Sequence, residues 1–214
     1  MCGIAGIYSL NKNLIRHRET LKKMLAQISH RGPDESGIIS SKHLLMGNVR
    51  LNIIDLEGGT QPICDQTQRY WIVFNGEIFN YIELREQLEK KGCCFKTLSD
   101  TEVLVQLYAL YGENALNKLN GQFAFAIWDK TTGDMFLARD RVGIRPLYYS
   151  WYKESFLFGS EIKSILHFFK TSPEINPQAL HQIFTFWAPL TPNTIFNDIY
   201  EVPPGHYLTL KDGK

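Results

Sequence analysis

A cysteine stands directly behind the initiator methionine, where its thiol and its backbone nitrogen can form one reactive unit. Removal of Met1 should be easy because the residue that follows it is small, and it would leave Cys2 with a free α-amine. A thiol ordinarily titrates near ~8.5 and an α-amine near ~7.7–8, so at neutral pH the amine can take the thiol proton. This is the N-terminal form of a base-activated nucleophile. Position alone does not establish catalysis, because any residue can follow an initiator methionine.

A nucleophile that attacks an acyl carbon needs hydrogen-bond donors for the oxyanion of the tetrahedral intermediate. Asn75 and Gly76 follow residues 70–74, which predict a strand, and we expect them with Glu77 in a turn before the next helix. Asn75 offers a side-chain amide, and Gly76 offers a backbone N–H with no Cβ to obstruct a substrate. A plain Asn-Gly turn is the alternative interpretation.

An amino-acid substrate would also need a cation for its α-carboxylate and acceptors for its α-ammonium. Arg50 can bind a carboxylate through two parallel hydrogen bonds, or it can be a charge at a strand end. Asp100 could cap a helix, but Ser99 with Glu102 three residues later can do so instead, which leaves Asp100 free in the first turn. Glu77 is a second acceptor candidate, unless it serves to favour a helix start electrostatically.

The hydrophobic pattern predicts an α+β protein in which helices lie outside sheet layers. A capping box before residue 102 and a Gly-containing turn at residues 129–134 mark a helix start and a hairpin. Helices are predicted at residues 16–29, 80–92, 100–110, 161–166 and 177–186. Strands are predicted at residues 3–8, 37–39, 44–48, 52–54, 70–74, 123–128, 135–138, 147–151, 156–159 and 206–210.

Composition excludes several functional classes. The 214 residues carry a formal net charge of +1, so no global field attracts nucleic acid or an anionic membrane. The longest apolar run, residues 123–128, is too short to span a bilayer, and no basic segment precedes the apolar start as in a signal peptide. The cysteines lack a disulfide-framework spacing, which favours a reduced, cytoplasmic setting. The histidines show no metal-ligand spacing, so we expect no metal.

Several sequence segments, in this order, resemble one family. They are residues 2–6 (CGIAG), 31–37 (RGPDESG), 50–55 (RLNIID), 61–62 (QP), 74–80 (FNGEIFN), 99–100 (SD), 121–129 (GQFAFAIWD), 138–149 (ARDRVGIRPLYY) and 158–163 (FGSEIK). Together they resemble the glutaminase domain of glutamine-hydrolysing asparagine synthetases, which is a class II glutamine amidotransferase domain with the N-terminal-nucleophile fold. A looser resemblance continues through residues 202–206 (VPPGH).

The resemblance implies a four-layer αββα sandwich of two antiparallel sheets, in one amidotransferase domain over residues 2–214. It also implies roles by position: Cys2 is the nucleophile with its own α-amine as base, and Asn75 and Gly76 form the oxyanion hole. The glutamine-binding set implied by the resemblance comprises Arg50, Leu51, Asn52, Ile53, Ile54, Asn75, Gly76, Glu77 and Asp100, with backbone groups contributing between Arg50 and Ile54.

The implied reaction releases glutamate and ammonia from glutamine through a Cys2 thioester, with no cofactor. In the family, ammonia passes to a second domain that uses ATP and Mg²⁺ to convert aspartate to asparagine. The Ser-Gly-Gly-x-Asp-Ser phosphate-binding loop of that domain is absent from this sequence. We therefore expect glutamine hydrolysis here, and a synthetase partner domain in the same longer chain or in a separate one. The sequence leaves open whether the protein forms a homodimer.

Two alternatives remain. One keeps the chemistry and changes the acceptor, since amidotransferases that make phosphoribosylamine or glucosamine phosphate also begin with Cys-Gly-Ile. Residues 31–34 and 143–146 resemble the asparagine-synthetase branch more. The other alternative is a sensing or interaction domain that keeps the fold without catalysis, which retention of Met1 would favour.

Two further features concern the second half of the chain. Arg139, Asp140, Arg141 and Arg145 form a charged run, for which we expect a solvated or salt-bridged sheet end, with a contact to the missing half as the alternative. Residues 206–210 predict a strand and residues 211–213 a hairpin turn with no returning strand. We therefore expect the 214 residues to be the N-terminal part of a longer protein, with a natural tail that frays as the alternative.

Overall fold

The computed structural model describes residues 1–212. Its helices are α1 (Arg18–Ala26), α2 (Tyr81–Glu89), α3 (Asp100–Tyr111), α4 (Ile162–Leu166) and α5 (Pro177–Phe186), with 3₁₀ turns at Leu14–His17, Ser29–Arg31 and Gly112–Lys118. Its strands are β1 (Gly3–Tyr8), β2 (Glu35–Ser40), β3 (Leu44–Arg50), β4 (Ile63–Cys64), β5 (Tyr70–Ile78), β6 (Gly121–Asp129), β7 (Met135–Arg139), β8 (Tyr148–Tyr152), β9 (Ser155–Gly159), β10 (Ile199–Glu201) and β11 (Tyr207–Leu210).

The strands form two antiparallel sheets packed face to face. One sheet has the order β10-β8-β9-β1-β3-β2 and the other β11-β7-β6-β5-β4. Ile4 and Val73 belong to the apolar layer between the sheets. Leu104 of α3 packs on the outer face of the second sheet, and Leu21 of α1 packs on the outer face of the first. These three apolar layers make the predicted αββα sandwich.

β1 is a central strand that is buried on both faces. Side chains of a strand alternate between faces, so Ile4 points towards the second sheet while Ala5 and Ile7 point towards α1. At Gly6 a Cβ would lie 2.2 Å from the ring of Phe158 on β9, so only glycine allows this close strand pairing. The burial of β1 gives its first residues, and Cys2 just before them, a firmly held position.

β5 continues beyond its predicted end and includes residues 75–77. It pairs with β6 from Tyr70↔Asp129 to Ile78↔Gly121, so the turn expected at Asn75, Gly76 and Glu77 is wrong. Glycines on both strands permit this extension, because a Cβ at Gly76 would lie 2.2 Å from the Gln122 oxygen, and one at Gly121 would lie 2.4 Å from the Glu77 oxygen. Long-range pairing thus overrides the local Asn-Gly turn signal.

Two other predicted elements differ from the structure. The helix expected at residues 16–29 is shorter, because α1 is flanked by 3₁₀ turns, and the strand expected at residues 52–54 is a loop after β3. Ser99 caps α3 through the Thr101 N–H at 3.1 Å. The capping box is incomplete, because the Glu102 carboxylate accepts the N–H groups of Lys96 and Thr97 instead.

The charged run at residues 139–145 is folded inward. The Arg139 guanidinium donates to the backbone oxygens of Gly143, Arg145 and Val202 and pairs with Glu201 at 2.6 Å. This sheet end is salt-bridged, as predicted, but Arg139 is not solvated, since only 7% of it is exposed.

The last described strand, β11, pairs with β7 along one side and forms an edge of the second sheet. The hairpin turn predicted at residues 211–213 falls partly outside the described residues. Over residues 1–212, no helix has both the length and the apolar character needed to cross a membrane.

Candidate active site

The ends of β1, β3 and β5 and the start of α3 meet around one cleft. The predicted site residues that line it are Cys2, Arg50, Leu51, Ile53, Ile54, Asn75, Gly76, Glu77 and Asp100. Asn52 does not line the cleft, because its side-chain amide lies 3.4 Å from both Glu35 Oε1 and the Leu56 oxygen. The structure thus brings the predicted residues together from four separate segments, except that the Asn52 side chain does not line the cleft.

Cys2 and Asn75 occupy corresponding positions on the two facing sheets. Ile4 and Val73 share the apolar layer between the sheets, Cys2 precedes Ile4 by two residues, and Asn75 follows Val73 by two. Because side chains of a strand repeat their direction every second residue, Asn75 points into the space between the sheets where Cys2 begins β1. The fold itself therefore brings the thiol and the amide to the same end of the sandwich.

The Cys2 thiol is held by the backbone of the loop after β3. The Leu51 N–H donates to Sγ at 3.4 Å, and the thiol can donate to the Leu51 oxygen at 3.7 Å. Burial raises the pKa of the Cys2 thiol, and the nearby Asp100 charge adds to this. The Leu51 N–H, the terminal ammonium and Arg50 act in the opposite direction. The thiol is consequently protonated at neutral pH and needs a base in order to react.

The start of the chain is fixed by a partly buried ion-pair cluster. Arg31 Nε donates to the Cys2 oxygen at 2.9 Å, and Arg31 Nη1 pairs with Glu161 at 3.0 Å. His30 also contacts this carboxylate, with Nε2 2.9 Å from Glu161 Oε1. These contacts hold the Cys2 main chain while leaving the thiol free to face the cleft.

Asn75 is buried and has no hydrogen-bond partner for its side chain. Only 1% of the residue is exposed, and among the described residues neither Nδ2 nor Oδ1 meets a donor or acceptor. Buried polar groups are normally paired, because desolvation without a hydrogen bond costs about 1–3 kcal/mol. An unpaired amide in the cleft that also holds a thiol is suited to donate a hydrogen bond to an oxygen atom of a ligand.

Gly76 presents its backbone N–H on the side of β5 that faces the cleft. The N–H groups on that side of the strand include Phe74 N, which donates to Gln61 Oε1 at 2.7 Å, and Ile78 N, which donates to Asp100 Oδ2 at 3.0 Å. N–H direction alternates along an antiparallel strand, so the Gly76 N–H points the same way, between these two acceptors. Gly76 and Asn75 thus offer two adjacent donors.

Arg50 is a buried cation with acceptors already around it. Its Nη1 donates to Glu35 at 2.9 Å, and Nη2 donates to the Ile54 and Asp55 oxygens. The Arg50 guanidinium in turn lowers the pKa of Glu35. The two parallel hydrogen bonds expected for a substrate carboxylate would therefore require Arg50 to exchange at least one present partner.

Asp100 and Glu77 form the acidic side of the cleft. The pKa of Asp100 is raised from 3.8 to about 6, mainly by burial and also by the Glu77 charge, against the hydrogen bonds from Ile78 and Thr101. An ammonium group entering between these carboxylates would relieve their repulsion and favour the ionised form of Asp100. This side of the cleft is therefore suited to a substrate ammonium.

Other lining residues carried no functional expectation in the sequence. Gln61 joins two walls of the cleft, since Oε1 accepts from Phe74 and Nε2 donates to Thr101 Oγ1 at 3.3 Å. Arg145, expected at a sheet end, also lines the cleft. A single glutamine in a loop has no spacing signal, and an arginine within a charged run looks like its neighbours. Among the described residues, no group of three or more His, Cys, Asp or Glu side chains could hold a metal ion.

A partly buried thiol just before a central strand, in an αββα sandwich of two antiparallel sheets, defines the N-terminal-nucleophile class of fold. Over residues 1–214 the chain matches the family described as "Glutamine amidotransferase domain", and it belongs to that family.

Related sequences agree with this assignment. The chain is 42% identical over 217 residues to asparagine synthetase [glutamine-hydrolyzing] 3 of Bacillus subtilis, covering 100% of this chain and 35% of the relative. It is 43% identical to asparagine synthetase [glutamine-hydrolyzing] 1 of the same organism, covering 99% and 34%. The chain therefore spans about a third of the length of these relatives.

Solved structures show the same fold. The B. subtilis glutamine phosphoribosylpyrophosphate amidotransferase, complexed with ADP and GMP, superposes with a TM-score of 0.68 at 24% identity, over 99% of this chain and 47% of that one. A structure described as the allosteric regulatory enzyme of purine biosynthesis gives a TM-score of 0.70, also at 24% identity, with the same coverage of 99% and 47%. These similarities concern the fold.

Proposed function

We propose that this chain hydrolyses the side-chain amide of glutamine to glutamate and ammonia, with Cys2 as the nucleophile. The observation that carries the proposal is the buried, unpaired amide of Asn75 in the cleft that also holds the Cys2 thiol. Asn75 Nδ2 and the Gly76 N–H are the donors for the oxyanion. Arg50 binds the α-carboxylate, Glu77 and Asp100 bind the α-ammonium, and backbone groups of residues 51–54 complete the glutamine site.

In the first half-reaction the Cys2 α-amine takes the thiol proton, and the sulfur attacks the carboxamide carbon of glutamine. The C=O electron pair moves onto the oxygen, where the two donors stabilise it. When the intermediate collapses, the C–N bond breaks and the α-ammonium returns the proton to the leaving nitrogen. The products are ammonia and a γ-glutamyl thioester, and the amine is again neutral.

In the second half-reaction water attacks the thioester. The α-amine takes a proton from the water as the C–O bond forms, and the same two donors stabilise the second oxyanion. Collapse breaks the C–S bond and releases glutamate, and the proton on the amine returns to the sulfur. Neither half-reaction needs a metal or an organic cofactor.

This mechanism requires removal of Met1. With Met1 attached, the Cys2 nitrogen is an amide that cannot accept a proton, and the methionine itself lines the cleft. Removal of this one residue would therefore supply the base and open the site together.

We further propose that the ammonia serves asparagine synthesis from aspartate. The support is the 42% identity to a glutamine-hydrolysing asparagine synthetase that is much longer than this chain. In this proposal residues 2–214 form one amidotransferase domain in the cytoplasm, and a synthetase domain, in the same longer chain or a separate one, binds ATP and Mg²⁺. A homodimer is compatible with this arrangement. The acceptor is tested by following heavy nitrogen from the glutamine amide into asparagine with the complete protein, aspartate, ATP and Mg²⁺.

The glutaminase proposal is tested on one purified sample by intact-mass analysis, a glutamate-release assay and labelling with a diazo-ketone analogue of glutamine. We expect a chain without Met1, glutamate release, and one covalent adduct at Cys2. A Cys64→Ser variant, which alters a cysteine outside the cleft, should be labelled equally. A trimmed chain that neither turns over glutamine nor forms the adduct would overturn the proposal.

A further inference from the structure

The cleft contains one arginine whose charge is not matched by a carboxylate. Arg50 pairs with Glu35, and Arg31 beside the cleft pairs with Glu161. Arg145 makes no salt bridge to any described residue, although only 7% of it is exposed. Its Nε is buried without a partner, and Nη1 contacts Met1 Sδ. Burying a guanidinium without a partner costs free energy of folding. We therefore expect the charge of Arg145 to act on a group in the cleft.

The main chain of Arg145 is anchored independently of its side chain. Its N–H donates to Asp140 Oδ2 at 3.0 Å, and its oxygen accepts from Arg139 Nε at 2.8 Å. Asp140 also accepts from the N–H groups of Phe123, Val142 and Ile144, so the whole loop is fixed. Replacement of the guanidinium should therefore leave the loop in place.

The contact with Met1 locates Arg145 relative to the reacting groups. The Met1 side chain is attached one residue before Cys2, and its sulfur touches Arg145 Nη1. Standard bond lengths then put the guanidinium within about 8 Å of the nitrogen that becomes the α-amine after Met1 is removed. At that separation, in a site largely shielded from water, two like charges interact appreciably.

We propose that Arg145 is a positioning residue that acts through the freed α-amine of Cys2 and favours its neutral form. This inference rests on the proposed glutaminase function. A free α-amine titrates near ~7.7–8, so most of it would be the ammonium form at neutral pH and could not take the thiol proton. A neighbouring cation disfavours the ammonium and increases the fraction that can act as a base.

The other charged groups around the amine are either acidic or paired with an acid. Asp100 and Glu77, which also line the cleft, favour the ammonium, while Arg50 is offset by Glu35. On the side of the Cys2 main chain, the Glu161 carboxylate is shared by Arg31, Lys163 and His30. Arg145 is thus a positive charge in the lining of the cleft that is paired with no carboxylate of the described residues, and we expect it to lower the pKa of the amine by about half a unit to one unit.

The test uses Met1-free protein, verified by mass, with Arg145→Gln and Arg145→Lys variants. An Arg141→Gln variant is the control, because Arg141 donates to the Leu119 oxygen and does not line the cleft. The pH dependence of kcat/KM is measured, and the amine is titrated directly by carbon NMR after isotopic dimethylation. We expect Arg145→Gln to move the acid limb and the titration about half a unit to one unit upward, while the other two variants stay near wild type.

Unchanged titration in Arg145→Gln would overturn the inference, as would equal shifts in Arg145→Lys and Arg145→Gln. A wild-type chain without glutaminase activity would instead contradict the proposed function. The NMR titration still reports on Arg145 in that case, so the two failures are distinguishable.

Discussion

The Asp100 carboxylate accepts a hydrogen bond from the Ile78 N–H at 3.0 Å, which joins the first turn of α3 to the end of β5. The contact holds an acidic group from the helix next to Glu77, the other acid on this wall. Burial of the Asp100 carboxylate disfavours its charged form, and the nearby Glu77 charge adds a smaller repulsion, so the pKa of Asp100 is raised and its ionised form opposes folding. The proposed role of Asp100 in binding the substrate ammonium would therefore be in conflict with protein stability at this residue.

Asp100→Asn should stabilise the substrate-free protein near neutral pH. The pKa of Asp100 rises from 3.8 to about 6 on folding, so between these values the folded state holds more proton than the unfolded state. Wild-type stability consequently falls as pH rises through about 6, and the loss above that pH is at most about 3 kcal/mol. Urea unfolding should show the variant more stable near neutral pH, with the difference vanishing near pH ~4.

The same variant should bind glutamine more weakly, with a KM raised about 10-fold or more, because a charged acceptor of the ammonium is lost. If Asp100→Asn were less stable than wild type at neutral pH, the ionised Asp100 carboxylate would not lower the free energy of unfolding, and this prediction would be wrong. An unchanged KM would remove Asp100 from the ammonium site.

Asn75→Ala should reduce kcat by about 10²–10³ with little change in KM, as loss of one oxyanion donor does elsewhere. The melting temperature should stay the same or rise, because the variant removes buried polar atoms that have no partner in the described structure. Steady-state kinetics on the variant measure kcat and KM, and thermal unfolding of the same sample measures the melting temperature. A change confined to KM would make Asn75 a binding residue.

Gly76→Ala should lose activity for a different reason. The added Cβ would lie 2.2 Å from the Gln122 oxygen and 2.7 Å from Phe123 Cα, both in the backbone of β6, which cannot move aside cheaply. We expect destabilisation of about 2 kcal/mol or more, measured by urea unfolding, beside the loss of turnover. Asn75→Ala is the matched control, since it should inactivate without destabilising. Normal stability in Gly76→Ala would show that β5 and β6 can separate here.

Local residue types predicted the chemistry of the site better than its geometry. Cys2, Arg50 and Asp100 were identified from what their side chains can do, and the resemblance placed them in one site. The position of Asn75 in a strand was missed, because the partner that extends β5 lies on β6, far away in sequence. The strand and hairpin pattern predicted most elements, since alternation of buried residues is a local property.

Contacts between segments that are distant in the chain could not be predicted from the sequence. The pairing of Arg50 with Glu35 depends on the register of β2 against β3, which no local pattern specifies. The place of Arg145 in the cleft depends on the hydrogen bonds to Asp140 that close its loop. The sequence predicted a solvated or salt-bridged sheet end for Arg145 and left a strand-end charge as the alternative for Arg50, because burial is decided only when the sheets pack.

Cys2→Ala should abolish glutamate release, with a loss of at least about 10⁴-fold, while glutamine still binds. The thiol contacts only the Leu51 backbone among described hydrogen-bond partners, so its removal leaves Arg50, Glu77 and Asp100 in place. Alanine is also small, so Met1 should still be removed. Binding is measured by the stabilisation that glutamine gives in thermal unfolding, about 2.7 kcal/mol at a concentration 100 times Kd.

The control for this prediction is Cys64→Ala, which alters a cysteine outside the cleft and should keep full turnover. Residual turnover in Cys2→Ala close to wild type would assign the nucleophile elsewhere, and loss of binding together with turnover would mean that the thiol holds the substrate.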